Sequence, residues 1–300
     1  FGHAVWRALL LVLLGVFLRS VGSEQTNWTF EDTLSQIGLG YPILFLLGFR
    51  SLKTHLIALG AILGGYWLAW AMYPLPGPDF DYAAAGASAD WQHHAQGFAA
   101  HWNKHLNLGA AFDRWFLNLF PRSDAYGVNG GGYLTLSFIP TLGTMVLGLI
   151  AGSWLKADLL AKDRMKRFLM AAAICFVLGG LLHVLGLCPI VKRIWTPSWA
   201  LFSGGWCFLS MAVFYAIIDW RGLKKWAFPL TVIGLNSIAA YIIAHLIHHF
   251  TAGSFKTHFG QGIFALFGDK LEPLMEGIAV LGVYWLILFW MYRRKLFLRI

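Results

Sequence analysis

The sequence predicts an all-α fold, a polytopic transmembrane helix bundle with about eight spans in this chain. Three observations predict it. Of the 300 residues, 58% are hydrophobic and only 12% are charged, where soluble domains carry about 25% charged residues. Apolar runs approaching the roughly 20 helical residues that cross a bilayer recur along the whole chain. All 14 Asp and Glu fall outside those runs or at their ends.

The runs lie at residues 4–18, 34–49, 55–73, 133–155, 168–188, 197–218, 226–247 and 277–292. The first two are short, and Pro42 in the second predicts a kink or tilt. In the third and fourth, Gly60 with Gly64 and Gly148 with Gly152 have the spacing that lets helices approach closely in lipid. The fourth carries Thr135, Ser137, Thr141 and Thr144 around Pro140; hydroxyls can bond their own helix backbone, so they say little about function. The seventh carries Asn236, whose amide needs partners in hydrocarbon and is expected to face the bundle interior or a wet cavity. The 15 Trp and 24 Phe suit helices anchored at headgroup level. The chain reads as a single membrane domain over 1–300, with long extracytoplasmic loops at 74–131 and 249–276. In the first loop, residues 93–116 read as one or two amphipathic helices at the interface, with His94, His101 and His105 on one face.

Lysine and arginine set the expected orientation. Fifteen of the 23, from Arg7 to Arg299, sit at the chain ends and in the short loops near 50, 160 and 222. The positive-inside rule places that side, and the C-terminus, in the cytoplasm. The net charge of +9 is thereby a topology signal and not a nucleic-acid footprint. Cys175, Cys188 and Cys207 show neither disulfide nor zinc spacing and read as small buried hydrophobes. The chain opens at Phe1 and enters an apolar run at once, without a signal-peptide cleavage site. The expectation is a piece that begins inside a larger protein.

No span contains a carboxylate, which argues against an ion-coupled pump. His101 and His105 are four apart, and His245, His248 and His249 form H-x-x-H-H. Such clusters can hold metal, so a histidine-rich metal oxidoreductase is one alternative; histidines at helix ends beside water are ordinary, and no metal is expected. The connection from Cys188 to Trp199 places Lys192, Arg193, Trp195, Thr196 and Ser198 in one short outer loop. Sugars stack on Trp faces, and Lys or Arg holds phosphate or carboxylate. A sugar or lipid-linked sugar permease or flippase is a second alternative.

Four segments in order carry a family resemblance: Pro189-Ile190-x-Lys192-Arg193-x-Trp195-Thr196-Pro197-Ser198; Asp219-Trp220-Arg221-Gly222 with Trp226-Ala227-Phe228-Pro229; Gly234-Leu235-Asn236-Ser237-Ile238-Ala239-Ala240-Tyr241; and Asn107-Leu108 with Asp113-Arg114-Trp115. The set resembles the heparan-alpha-glucosaminide N-acetyltransferase family and its bacterial relatives. The resemblance implies acetyl transfer from cytoplasmic acetyl-CoA, as co-substrate, to an extracytoplasmic glucosamine-type amino sugar or glycan. It implies a lipid-embedded enzyme of a bacterial inner membrane, and it is compatible with a homo-oligomer. Lys192, Arg193, Trp195, Thr196, Ser198, Asp113 and Arg114 become candidate substrate-binding residues, and Asn236 a candidate support for the developing oxyanion. Two departures stand out. Where relatives carry an acidic Pro-Glu-Gly type turn, this chain has Asn129-Gly130-Gly131-Gly132. The family's catalytic histidine has no match here; the resemblance places it, with the first family helices, ahead of Phe1.

Overall fold

A computed structural model describes residues 1–298; Arg299, counted above among the basic residues, lies outside them. The chain is an integral membrane protein whose described residues are helical, without strands. Its contacts divide it into two compact units, Phe1–Ala216 and Ile217–Ile300.

The first unit contains α1 (Gly2–Ser20), α2 (Thr33–Leu47), α3 (Leu52–Ala71), α4 (Leu108–Phe116), α5 (Phe138–Lys156), α6 (Ala161–Val184) and α7 (Pro197–Phe214). Side chains stop these helices in register. Asp32 accepts the N–H of Leu34 at the start of α2, Ser51 that of Thr54 at α3, Asn107 that of Ala110 at α4, and Thr196 that of Trp199 at α7. Each satisfies one of the donors that a helix start leaves open. At the far end of α5, Arg164 donates to the carbonyls of Trp154 and Ala157 and to the Tyr215 hydroxyl, and so closes the C-terminal carbonyls with a cation.

The second unit contains α8 (Phe228–Leu235), α9 (Ser237–Leu246), α10 (His248–Phe259) and α11 (Glu272–Arg293). Its core joins Val232, Ala239 and Leu288 on one side and Ala252, Val280 and Tyr284 on the other.

Six helical stretches are long and apolar enough to cross a membrane, and the pair Lys225–Leu235 and Ser237–Leu246, bent by 71°, makes a seventh if counted as one span. α2 is apolar but shorter. All eight expected runs thus appear as helix, six intact, one broken at Asn236 and one short. Their outer faces carry exposed Leu56, Ile57, Ile174, Val177 and Leu181, the surface a helix offers to lipid tails.

Three expectations change. The close helix approaches do not use the expected glycine pairs: a Cβ on Gly60, Gly64, Gly148 or Gly152 meets nothing within 4 Å. They fall where α1 crosses α2, with Gly15 against Ser35 and Gly38 against Ala8, and at Gly179, whose Cβ would meet Ser198 O at 2.9 Å. Spacing alone marks glycines that share a face, not which face has a partner. The histidines of residues 93–105 do not share a helix either. Only Gly97–Trp102 is helical there, as a 3-10 turn, and His105 takes φ 65°, which a continuing helix does not allow. The connection at 249–276 contains α10 over His248–Phe259 and two short 3-10 turns ahead of α11. Of the cysteines, Cys175 and Cys188 are buried but Cys207 is exposed.

The α1–α2 crossing yields a test. A Cβ on Gly38 would sit 2.7 Å from the Ala8 carbonyl oxygen and 2.9 Å from Val12 Cγ2. Gly38→Val is expected to destabilise the detergent-solubilised protein by about 1–3 kcal/mol through overpacking. Gly60→Ala is expected to leave the thermal unfolding midpoint unchanged or slightly raised.

Candidate active site

At one end of the first unit, three segments enclose a cavity of about 460 Å³. One wall is the stretch from Trp91 to Asn107, the second is the glycine turn and Leu134, and the third runs from Pro189 to Ile194. A hollow of similar size, about 470 Å³, lies between Ser23–Asn27 and Arg122–Asp124. It has no aromatic wall and is bounded only by two surface turns, so the first cavity is the better binding site.

Buried polar contacts position the walls. Asp113, on α4 and fully buried, accepts the Thr135 N–H through both carboxylate oxygens, at 3.0 and 3.3 Å. Thr135 opens the fourth apolar run, so this carboxylate sits at the positive end of a membrane-crossing helix. Burial nonetheless pushes the Asp113 carboxyl up to about 6; the Thr135 hydrogen bonds oppose the rise and nearby Glu31 adds to it. Asn107 caps α4 and also donates to Asn103 O at 2.8 Å. Arg114 donates to the His105 carbonyl at 3.3 Å, and this holds the backbone of His105 in its left-handed turn.

Behind the glycine turn lies a polar layer. Gln36 of α2 donates to Leu134 O and accepts from the Thr141 hydroxyl at 3.0 Å. Arg19 pairs with Asp32 at 3.4 Å. Glu31, whose carboxyl is raised chiefly by burial, accepts from Asn129 Nδ2 at 3.4 Å. The turn lacks its own acid, but a carboxylate reaches it from the start of α2.

On the cavity side the turn is held by cations. Lys104 Nζ donates to Gly130 O at 2.9 Å, and Arg193 donates to Gly131 O while its guanidinium lies 5.7 Å from the Tyr133 ring centre. Gly132 takes φ 75°, and a Cβ there would sit 3.2 Å from Lys104 Cε; only glycine suits both conditions. Trp102 is buried and stacked on Trp70 at 4.9 Å, so it backs the wall from the core, and the exposed Trp91 gives the cavity its accessible aromatic surface. His105 is buried and lines the cavity, and its ring nitrogens make no hydrogen bond among the described residues. Burial, then Lys104 and Arg114, lower its basicity.

The expected site residues separate into three groups. Arg193 lines the cavity, while Lys192 is exposed just beside it. Thr196 and Ser198 are fully buried, and both donate to the Pro189 carbonyl at 2.7 Å; they fold the loop from beneath. Trp195, at φ 49°, sends its indole N–H to the Thr144 hydroxyl at 3.0 Å and ties the loop to α5. Asp113 and Arg114 act on the walls through Thr135 and His105. In the second unit Asn236 is fully buried at the 71° break, donating to Leu296 O and accepting from Leu298 N–H, both at 3.0 Å. Its amide clamps the segment that follows α11.

The histidines also have individual partners. His101 Nδ1 donates to Tyr73 O at 2.9 Å, His245 Nδ1 to Tyr241 O at 2.9 Å, and His248 Nδ1 lies 3.5 Å from the Tyr284 hydroxyl. His245 ends α9 while His248 and His249 open α10. Among the described residues no group of three or more His, Cys, Asp or Glu is placed to hold a metal ion. Sequence reading passed over Lys104, Trp91, Gln36 and Glu31. A lone amide in the apolar run at Gln36 was the one available signal; the others become visible only when the loops meet.

Fold and site together define a polytopic α-helical membrane protein whose first unit carries a largely apolar cavity edged by Lys104 and Arg193. No family model matches the chain. The mouse protein heparan-alpha-glucosaminide N-acetyltransferase is 24% identical across 100% of this chain, and its human counterpart 23%, each match covering 49% of the relative. The chain is a distant relative of these N-acetyltransferases, and it spans about half the length of the curated relatives it matches.

Asp113 offers a test of how the site is held. A carboxyl raised to about 6 in the folded state binds more protons there than in the unfolded chain. Its contribution is therefore fully present below about pH 3.9 and is lost as pH rises through 6. Asp113→Asn keeps an acceptor for Thr135 N–H and does not titrate. Its unfolding midpoint is expected to fall less than that of the wild type between pH 4.5 and 7.5. Asp113→Ala leaves the N–H unpaired and is expected to cost about 1–3 kcal/mol at either pH.

Asn236→Ala is expected to free the segment at 296–298, seen as faster amide exchange there, with little change at the cavity residues.

Proposed function

We propose that this chain is the membrane-embedded part of an acetyltransferase-type protein. In this reading it passes an acetyl group from cytoplasmic acetyl-CoA to an amino-sugar acceptor on the opposite face, and the 460 Å³ cavity holds that acceptor. The observation that carries the reading is the coincidence of two facts. The chain is distantly related over its whole length to proteins described as N-acetyltransferases, and Asn107 and residues of 189–194, from two of the segments behind the resemblance, line one cavity.

The chemistry is consistent with that placement. The acceptor amine attacks the acetyl carbonyl carbon, the C–S bond of the thioester breaks, and coenzyme A leaves as a thiol once the amine proton has reached it. Trp91 offers a face for the sugar ring, and the donors of Lys104 and Arg193 face its oxygens. The basic turns near 50 and 160 would lie on the cytoplasmic side, where polyanionic coenzyme A is held; the C-terminus shares that side, and a bacterial inner membrane is the setting. Lys192 at the rim is a further substrate contact in this reading. Asn236 is left with a structural role, because its amide is already occupied.

The test is made on the longest natural protein containing this chain, reconstituted in proteoliposomes. Labelled acetyl-CoA is supplied on one side and glucosamine on the other. The expected result is N-acetylated sugar appearing only on the acceptor side, with loss of about tenfold or more in turnover for Trp91→Ala. Sugar crossing the membrane unmodified and without acetyl-CoA would replace this reading with that of a permease.

A further inference from the structure

The two ends of the second unit differ in charge. Where α10 meets the start of α11, Lys256 is neutralised by Glu272 and Glu276, at 3.8 and 2.9 Å. At the other end the cations have no such partners. Arg221, Lys224 and Lys225 lie just before α8, and Arg293, Arg294 and Lys295 lie at the end of α11. Helix packing brings these two triplets to the same end. Phe228, the first residue of α8, packs edge-on against Phe289 and Tyr292 in the last turns of α11, with ring centres 6.1 and 5.7 Å apart. Trp285 donates to Pro229 O at 3.2 Å beside them. All six cations are exposed, and none pairs with a described carboxylate. Asp219 is the single acid among residues 217–235 and 277–298, which form this end.

Apolar groups are interleaved with the cations. Trp220, Leu223 and Trp226 are exposed among them, and Leu230 of α8 and Trp290 of α11 continue that apolar surface onto the helices that enter lipid. Indole rings settle at headgroup level, while cations on long stems reach outward from it. Topology alone asks for cations at the ends of spans. It does not ask that triplets from remote parts of the chain be packed together without counter-ions. Such a surface complements one that is anionic and apolar at once.

We propose that this end of the second unit is a docking surface for anionic phospholipid, with headgroup phosphates held by the cations of 221–225 and 293–295 and acyl chains against Leu223 and Leu230. Coenzyme A carries the same phosphate chemistry but no chain to cover the apolar residues, so the bilayer is the partner this surface fits.

The full chain in mixed micelles tests it, by electron spin resonance of chain-labelled phosphatidylglycerol and phosphatidylcholine. The expected result is that phosphatidylglycerol associates about fivefold or more tightly at low salt, and that salt of about 1 M removes most of the preference. Lys224→Gln with Lys225→Gln, and Arg293→Gln with Arg294→Gln, are each expected to lose about half of it or more. Association of phosphatidylcholine and the melting temperature are expected to stay as in the wild type. Lys162→Gln with Lys166→Gln removes the same charge from a basic turn of the first unit and is expected to keep the preference. So is Lys224→Arg with Lys225→Arg, which preserves the charge. Equal association of the two lipids overturns the proposal, as does a preference that survives both Gln pairs or falls equally with the Lys162 and Lys166 pair. Displacement of the labelled phosphatidylglycerol by free coenzyme A would overturn it in favour of a soluble phosphate ligand. No acetyl transfer enters the measurement, so failure here leaves the acetyltransferase reading standing.

Discussion

The organisation of the first unit depends on the carboxylate of Asp113 meeting the backbone N–H of Thr135. A helix entering lipid has backbone donors at its start that no preceding turn can satisfy, and no water is available in hydrocarbon to replace them. Here the answer comes from the long loop. The carboxylate on α4 fixes the start of the α5 span, and the segment just before that start is the glycine turn. Because Asp113 and Arg114 are neighbours, the same short helix that anchors the span also holds His105 by its carbonyl. A raised Asp113 carboxyl is the cost of burying the group that does this.

From that contact the cavity follows. The glycine turn has a polar layer behind it, built from Glu31, Gln36 and Thr141, and two cations before it, Lys104 and Arg193. The turn is thin because Gly132 must be left-handed and lie against the Lys104 side chain. A thin wall with acid on one side and base on the other places both cations, Lys104 and Arg193, at an otherwise largely apolar cavity. The loop at 189–196 completes it. Its buried hydroxyls, Thr196 and Ser198, converge on one carbonyl, and its indole at Trp195 reaches down to α5. Residues that resemble family motifs therefore divide between those that touch the cavity and those that hold its walls.

The helices were legible in the sequence because lipid imposes a strong and local constraint: about 20 apolar residues in a row. Even the break at Asn236 had a sign, a single amide in an apolar run. The site was less legible for physical reasons. Arg193 was visible because its loop is short and rich in chemistry. Lys104 was not, since nothing in its neighbourhood says that it will bond a turn 26 residues later. The histidine pattern at 94, 101 and 105 has helical spacing but no helix, because the left-handed backbone at His105 depends on a carbonyl contact from Arg114 that periodicity does not encode. The glycine pairs misled in the same way. Small residues permit close packing, and which ones are used depends on where Ser35 and Ala8 arrive.

The central claim is that the cavity bounded by residues 91–107, 131–134 and 189–194 is where the acceptor binds. It is tested most directly by photo-crosslinking with an amino sugar that carries a diazirine, followed by peptide mapping. The account predicts adducts within those three segments, suppressed by excess unlabelled amino sugar. Adducts confined to other parts of the chain, with these segments unlabelled at saturating probe, would contradict it.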